Sequence, residues 1–156
     1  MIERRGPVEL DDDVSRVDRR ALWHFLSEQA YWGRWRTREI VEQQLDSAWR
    51  VSGAYEIQTG EMVGFARAVS DGHGVAYLAD VYTLKRVRGQ GIGLAVVDFM
   101  INRGPGSEFR WMLHTATAHE FYRQLGFVPP DGTFLERPSP LNSGSASAIE
   151  EHRSES

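Results

Sequence analysis

Residues 83–99, "TLKRVRGQGIGLAVVDF", decide how the chain is read. A strand-like run ends at Leu84, glycines alternate at Gly89, Gly91 and Gly93, and an apolar helix-like run starts directly behind them. Glycine takes positive φ without steric penalty and lets backbone approach a ligand closely. A helix start leaves N–H groups free to face an anion. Arg86 and Arg88 add charge-assisted donors at the same turn. A P-loop is excluded, because Leu94 follows Gly93 where Lys and a hydroxyl residue are required. A dinucleotide fingerprint is excluded by the glycine spacing and by the hairpin strands in front of it. Two readings remain: a strand-to-helix turn that holds an anion, and a flexible turn with solvated arginines. The density of matching features between a strand and an amphipathic helix favours the first.

Working outward, "WRVSGAYEI" (49–57), "MVGFARAVS" (62–70) and "VAYLADVYTL" (75–84) read as three strands. Thr59-Gly60 and Asp71-Gly72-His73-Gly74 separate them with hairpin chemistry. Upstream, Val17, Ala21, Leu22, Phe25 and Leu26 share one helical face, with Ser15 and Asp18 spaced as a capping box. Thr37 is placed to cap a second helix, "REIVEQQLDS". Downstream, a helix from about Gly91 to Asn102 is followed by a strand, "FRWMLHTA" (109–116), and a short helix, "AHEFYRQL" (118–125), that Gly126 terminates. "FVPPDGTFLER" (127–137) adds a last hairpin. This order predicts an α+β, mixed α/β fold with a mostly antiparallel twisted sheet flanked by helices, and not a doubly wound one.

The 156 residues, 41% hydrophobic and 11% aromatic, supply one domain and its core. That domain is expected over 1–137. From Pro138 the Ser- and Pro-rich segment 138–156 cannot bury enough apolar surface to offset its ordering entropy, which predicts a flexible tail. No apolar run is long enough to span a bilayer, and no hydrophobic segment follows the N-terminal charges. Without cysteine there is no disulfide, thiol nucleophile or thiolate zinc site. A cytoplasmic enzyme or binding domain that needs no metal and no membrane is therefore expected. A net charge of −4 argues against a general nucleic-acid binder.

"RVRGQGIG" (86–93) resembles the acetyl-CoA-binding motif of the GNAT superfamily of N-acetyltransferases, in which Arg or Gln is followed by two residues, Gly, one residue, and Gly or Ala. The match holds in two registers, from Arg86 to Gly91 and from Arg88 to Gly93. "YLADVYTL" stands where that family has its central strand, and "AHEFYRQLGF" is similar to its A-x-x-F/L-Y-x-x-x-G-F ending. The resemblance covers roughly residues 8–136. It implies the acyl-CoA N-acyltransferase fold, acetyl-CoA as cosubstrate, and direct attack of a neutral amine of a small molecule or protein on the thioester.

It also implies roles, residue by residue. Arg88, Gly89, Gln90, Gly91, Ile92 and Gly93 hold the pyrophosphate through their backbone, with the side chains of Arg86 and Arg88 assisting. Val81, Tyr82 and Thr83 pair along the pantetheine arm, and the Val81 N–H faces the thioester oxygen. Tyr122 is the candidate general acid for the departing thiolate. Asp80, a carboxylate inside an apolar strand, is either the base that orients the amine or a partner for Arg67 or another arginine. His119 shares a helical face with Tyr122 and is a further candidate for proton transfer. Thr115 stands where many members carry a CoA-contacting Asn, Lys85 where they often have Pro, and Ala79 where some have Glu.

Between the first two helices, "EQAYWGRWRTRE" is aromatic and cationic, and in this family the region lines the acceptor pocket. Trp32, Trp35 and Arg36 are the candidate acceptor-binding residues, suiting an aromatic or carboxylate-bearing amine. Packing on the sheet and a homodimer contact are the alternatives for the same loop. A catalytically idle acyl-CoA sensor is the competing function, and a nucleic-acid adaptor acting through the Arg-rich loop a weaker third.

Overall fold

The computed structural model describes residues 1–30 and 35–142. Six strands form one sheet in sequential order: β1 (Ile2–Arg5), β2 (Val8–Asp11), β3 (Arg50–Glu56), β4 (Met62–Ser70), β5 (Val75–Thr83) and β6 (Arg110–Met112). Every pairing is antiparallel except β5 with β6, which is parallel. The helices are α1 (Arg19–Glu28), α2 (Arg38–Asp46), α3 (Ile92–Asn102) and α4 (His119–Arg123).

Two apolar clusters, one on each face, fix the layers. On one face Val8, Leu10, Ala54, Val63, Ala66 and Leu78 pack against α3 through Val96, Val97, Phe99 and Met100. On the other, Val51, Met62, Phe65 and Tyr82 pack against Leu22, Phe25 and Leu26 of α1 and Val41 and Leu45 of α2. Phe25 stacks on Tyr82 with ring centroids 3.8 Å apart. The expected α+β architecture with a mostly antiparallel sheet is the one observed.

Local details depart from expectation: the strand expected over 109–116 is confined to Arg110–Met112, and three further differences have physical causes. The β1–β2 hairpin is not anticipated, because five of its eight strand residues are charged. Val8 and Leu10 nevertheless alternate into the core at 1% and 0% exposure, which is the period-2 signal of a half-buried strand. Asp18 alone caps α1, accepting from the Ala21 N–H at 2.9 Å, while Ser15 belongs to a separate turn held by Asp13. Thr37 caps α2 as expected. The last hairpin does not form: residues 127–137 contain no strand. Pro129 and Pro130 remove two consecutive N–H donors there. Residues 143–156 of the expected tail lie outside the described residues, as do Tyr31, Trp32, Gly33 and Arg34 of the aromatic loop. No helix among the described residues is long and apolar enough to cross a membrane.

Candidate active site

The site begins with a defect in β5. Phe65 pairs with Tyr82 and Arg67 with Ala79, so Ala66 stands opposite both Asp80 and Val81. This is a β-bulge, and Asp80 carries it at φ 55, a left-handed conformation that Asp tolerates better than most residues. The consequence is a change of face. Strict alternation would put Asp80 on the α3 side with Leu78; the extra residue turns it to the α1–α2 side and lets Val81 pack against the α3-side core.

On that side Asp80 meets two arginines 44 and 13 residues away in sequence. Arg36 donates to both of its oxygens, at 3.0 and 2.8 Å, and Arg67 Nε donates to Oδ2 at 2.9 Å. Arg36 also donates to Gln44 at 2.7 Å. The three charged side chains are only 4–9% exposed. Burial opposes ionisation of Asp80, but the hydrogen bonds from Arg36 and the charge of Arg67 outweigh it and hold the carboxyl below the usual carboxylate range. Both carboxylate oxygens are thus engaged by guanidinium groups rather than free to face an ammonium group. Of the two readings the sequence left open, the geometry gives Asp80 the arginine-partner one.

Just before the bulge β5 loses one neighbour. β6 pairs only with Val75, Ala76 and Tyr77. Among the described residues no strand continues along Leu78–Thr83 on that side, so most of that β5 edge is open. This open edge leads through Leu84 and a 3-10 turn, Lys85–Val87, to the glycine stretch. Gly89 and Gly91 adopt φ of +80° and +79°, and nothing lies within 4 Å of where a Cβ would stand on either. Their requirement is therefore conformational, and the space beside them is open. Gly91 is the N-cap of α3 and provides no side-chain cap, so among the described residues the first-turn N–H groups of α3 are left uncapped. Gly93 answers a different need, since a Cβ there would meet the Phe121 ring at 3.4 Å; its absence lets α4 pack close to α3.

The two arginines of the turn diverge. Arg86 is bound by Glu56, at 2.9 and 3.3 Å, and by Glu61, both from the β3–β4 hairpin. Arg88 is exposed and makes no ion pair with a described residue. Gln90 is exposed at the turn, and Ile92 is buried beneath it. Tyr82 is spent on the α1-side core and Thr83 reaches toward Gly64 and Gly93, leaving backbone rather than side chain at the open edge.

Tyr122 projects from α4 beside a cavity of about 1140 Å3 that Tyr77, His114, Thr115 and His119 also line. Its ring is held edge-on by Phe121 and Phe127, at centroid distances of 4.9 and 5.6 Å. Burial, with a contribution from nearby Tyr77, pushes its phenol up to about 12. It is a neutral proton carrier at physiological pH, and its hydroxyl makes no hydrogen bond to a described residue. Thr115 accepts from the Ala118 N–H at 3.0 Å and so shapes the start of α4. His119 lines the cavity without a hydrogen-bond partner among the described residues. Trp35 is 41% exposed, Arg36 is buried on Asp80 rather than open to an acceptor, and Trp32 lies outside the described residues.

Sequence reasoning misses one group altogether. Tyr77 Oη lies 2.7 Å from His114 Nδ1, and His114 Nε2 lies 2.8 Å from Glu136 Oε2. Spacings of 37 and 22 residues carry no pattern that could reveal such a chain.

The comparisons with known proteins agree with this geometry. The model of the acetyltransferase (GNAT) family matches residues 16–127. A protein of Xanthomonas campestris pv. campestris assigned to the GNAT family is 29% identical, with a TM-score of 0.80 over 88% of this chain and 96% of that one. A protein of Deinococcus radiodurans R1 described as an acetyltransferase shares the fold at 23% identity, with a TM-score of 0.64 over 88% and 94% of the two chains. Glucosamine-6-phosphate N-acetyltransferase of Arabidopsis thaliana shares it at 15% identity, with a TM-score of 0.62 over 86% and 100%. No curated protein sequence matches the chain. With its glycine turn, a β5 strand open along most of one edge and a family match over most of its length, the chain belongs to the GNAT family of acetyltransferases.

Proposed function

We propose that the chain is an acetyl-CoA-dependent N-acetyltransferase that moves an acetyl group directly to a primary amine of a small molecule or protein. The observation that carries this reading is the continuity of the open β5 edge with the uncapped start of α3. The edge offers main-chain groups to an extended amide-bearing arm, as an added strand would use them. The α3 N-terminus and Arg88 offer donors to a diphosphate at the end of that arm. Acetyl-CoA has this order of groups. Tyr122 then supplies the proton that the leaving thiolate needs, and the Val81 N–H is the candidate donor to the developing oxyanion.

The acceptor side carries an excess of charge. Arg36 and Arg67 share the single carboxylate of Asp80, which leaves one buried positive charge without a counter-ion in the cluster. A buried uncompensated charge is costly. An amine that bears a carboxylate or another anionic group relieves it, and such acceptors are the favoured class. A cytoplasmic location and independence of metal, membrane and nucleic acid belong to the same proposal.

The second reading, a catalytically idle acyl-CoA sensor, draws on the fact that Asp80, the candidate base, is engaged by Arg36 and Arg67. Thiol release from acetyl-CoA across a panel of amines, with and without a carboxylate, separates the two. The enzyme reading predicts release with at least one amine, strongest among the carboxylate-bearing ones. Release with none, while acetyl-CoA still raises the melting temperature, establishes the sensor.

A further inference from the structure

The chain Tyr77–His114–Glu136 has the alternating polarity of a proton relay. Tyr77 Oη, 2.7 Å from His114 Nδ1, has a proton to give, and the neutral imidazole then carries its own proton on Nε2, 2.8 Å from Glu136. It comes from three separate parts of the fold: β5, the segment after β6, and the stretch that returns past α4. His114 and Glu136 remain about half exposed. Long-range hydrogen bonds between half-exposed side chains contribute little to stability, so packing does not explain the arrangement.

Position makes it informative. Tyr77 alternates with Leu78, which lies in the α3-side core, so its ring points to the opposite face of the sheet. Tyr122 packs on the α3 side. The two phenols approach the gap where β6 leaves β5 from opposite faces, both line the same cavity, and Tyr77 is near enough to influence Tyr122. An acyl transfer through that gap needs a proton donor on the thiolate side and a proton acceptor on the amine side. Tyr122 fills the first place, and Asp80 is too strongly held by Arg36 and Arg67 to fill the second.

Resting on the acetyltransferase reading, we infer that Tyr77, His114 and Glu136 form the relay that deprotonates the acceptor amine, with Tyr77 as the group that touches it. The ammonium gives a proton to Tyr77 Oη as the Tyr77 proton passes to His114 Nδ1, and Glu136 stabilises the imidazolium. The freed lone pair forms the C–N bond to the acetyl carbon and the C–S bond breaks. The thiolate takes the Tyr122 proton, and the phenolate recovers one from the new amide nitrogen. One proton remains on His114, whose exposed ring returns it to water. Glu136, His114, Asp80 and Arg67 are the charged or titratable groups that act on Tyr77, and Tyr122, His119, Arg110, Arg123 and Asp131 line the surrounding cavity.

The test is the pH dependence of kcat/KM for the wild type, Tyr77→Phe, His114→Gln and Glu136→Gln, with acetyl-CoA affinity measured alongside. The wild type is expected to show an acid limb in kcat/KM that depends on His114. His114→Gln is expected to lower kcat/KM at neutral pH by about 100-fold, to abolish that acid limb, and to leave acetyl-CoA affinity unchanged. A His114→Gln enzyme within about twofold of the wild type, or one that keeps the limb, overturns the relay. Imidazole nitrogen NMR shifts give a readout independent of turnover. The wild type is expected to show the Nε2–H tautomer, and Tyr77→Phe and Glu136→Gln each to erode the preference; shifts that ignore both substitutions overturn the hydrogen-bonded chain. A wild type that binds acetyl-CoA yet acetylates no amine is a distinct result: it removes the parent reading, and the catalytic role of the relay with it.

Discussion

The turn at Arg88–Gly93 and the cluster around Asp80 are near neighbours in sequence, yet they are built on opposite principles. The turn uses backbone. Its glycines set the conformation, its donors are the N–H groups of α3, and its surroundings are open. The cluster uses side chains drawn from separate parts of the chain, buries them, and pairs them with one another, with one positive charge in excess. A backbone site tolerates any side chain that permits its φ angles. A side-chain site fails when one member changes. Cofactor binding and acceptor chemistry can therefore be damaged separately, and the following substitutions are chosen to do so.

The largest effect is expected at the cluster. Asp80→Asn keeps the shape and tolerates the left-handed φ but strands two buried guanidinium groups, and should cost about 3 kcal/mol of stability in urea unfolding. A cost under about 0.5 kcal/mol would show that the cluster is not a unit. The pH dependence has a definite sign. The folded-state pKa of Asp80 is depressed, so its contribution is present above its unfolded value, about 3.9, and is lost as pH falls through the lower folded value. Asp80→Asn should therefore flatten the acid side of the stability profile.

Next in size is Tyr122→Phe. It should lower kcat by about 100-fold with little change in acetyl-CoA affinity, because the hydroxyl is asked only to deliver a proton. Gly91→Val should weaken acetyl-CoA about 10- to 100-fold, through roughly 1–3 kcal/mol of strain at positive φ, while a carboxylate-bearing amine that binds the free enzyme is unaffected. The smallest effect sharpens the comparison within the turn itself. Arg88→Ala should weaken acetyl-CoA about fivefold, an exposed contact worth about 1 kcal/mol, whereas Arg86→Ala should change it by less than about twofold because Glu56 and Glu61 hold that guanidinium. Equal effects at both positions would mean that Arg86 leaves its carboxylates when the ligand binds.

The same contrast explains what can be read from the amino-acid order. The turn is legible because its chemistry is contiguous: residues 86–93 carry the glycines, the arginines and the start of α3. The layers are legible from periodicity, and β1–β2 escapes only because charge masks the alternation of Val8 and Leu10. The function of Asp80 is half legible, as a carboxylate out of place in an apolar strand. That it faces Arg36 depends on the bulge opposite Ala66, and a one-residue irregularity that reverses a side chain leaves no mark in periodicity. Tyr77, His114 and Glu136 are not legible at all, since their meeting is a property of the parallel β5–β6 pairing and of the path that brings Glu136 back across it.

The most direct test of the central claim, that the open edge of β5 and the start of α3 form one continuous acetyl-CoA site, is amide hydrogen exchange with and without saturating acetyl-CoA. The account predicts that protection rises together at Leu78–Thr83 and at Arg88–Gly93. Protection that changes at neither segment, in a sample shown by calorimetry to bind acetyl-CoA, would contradict it.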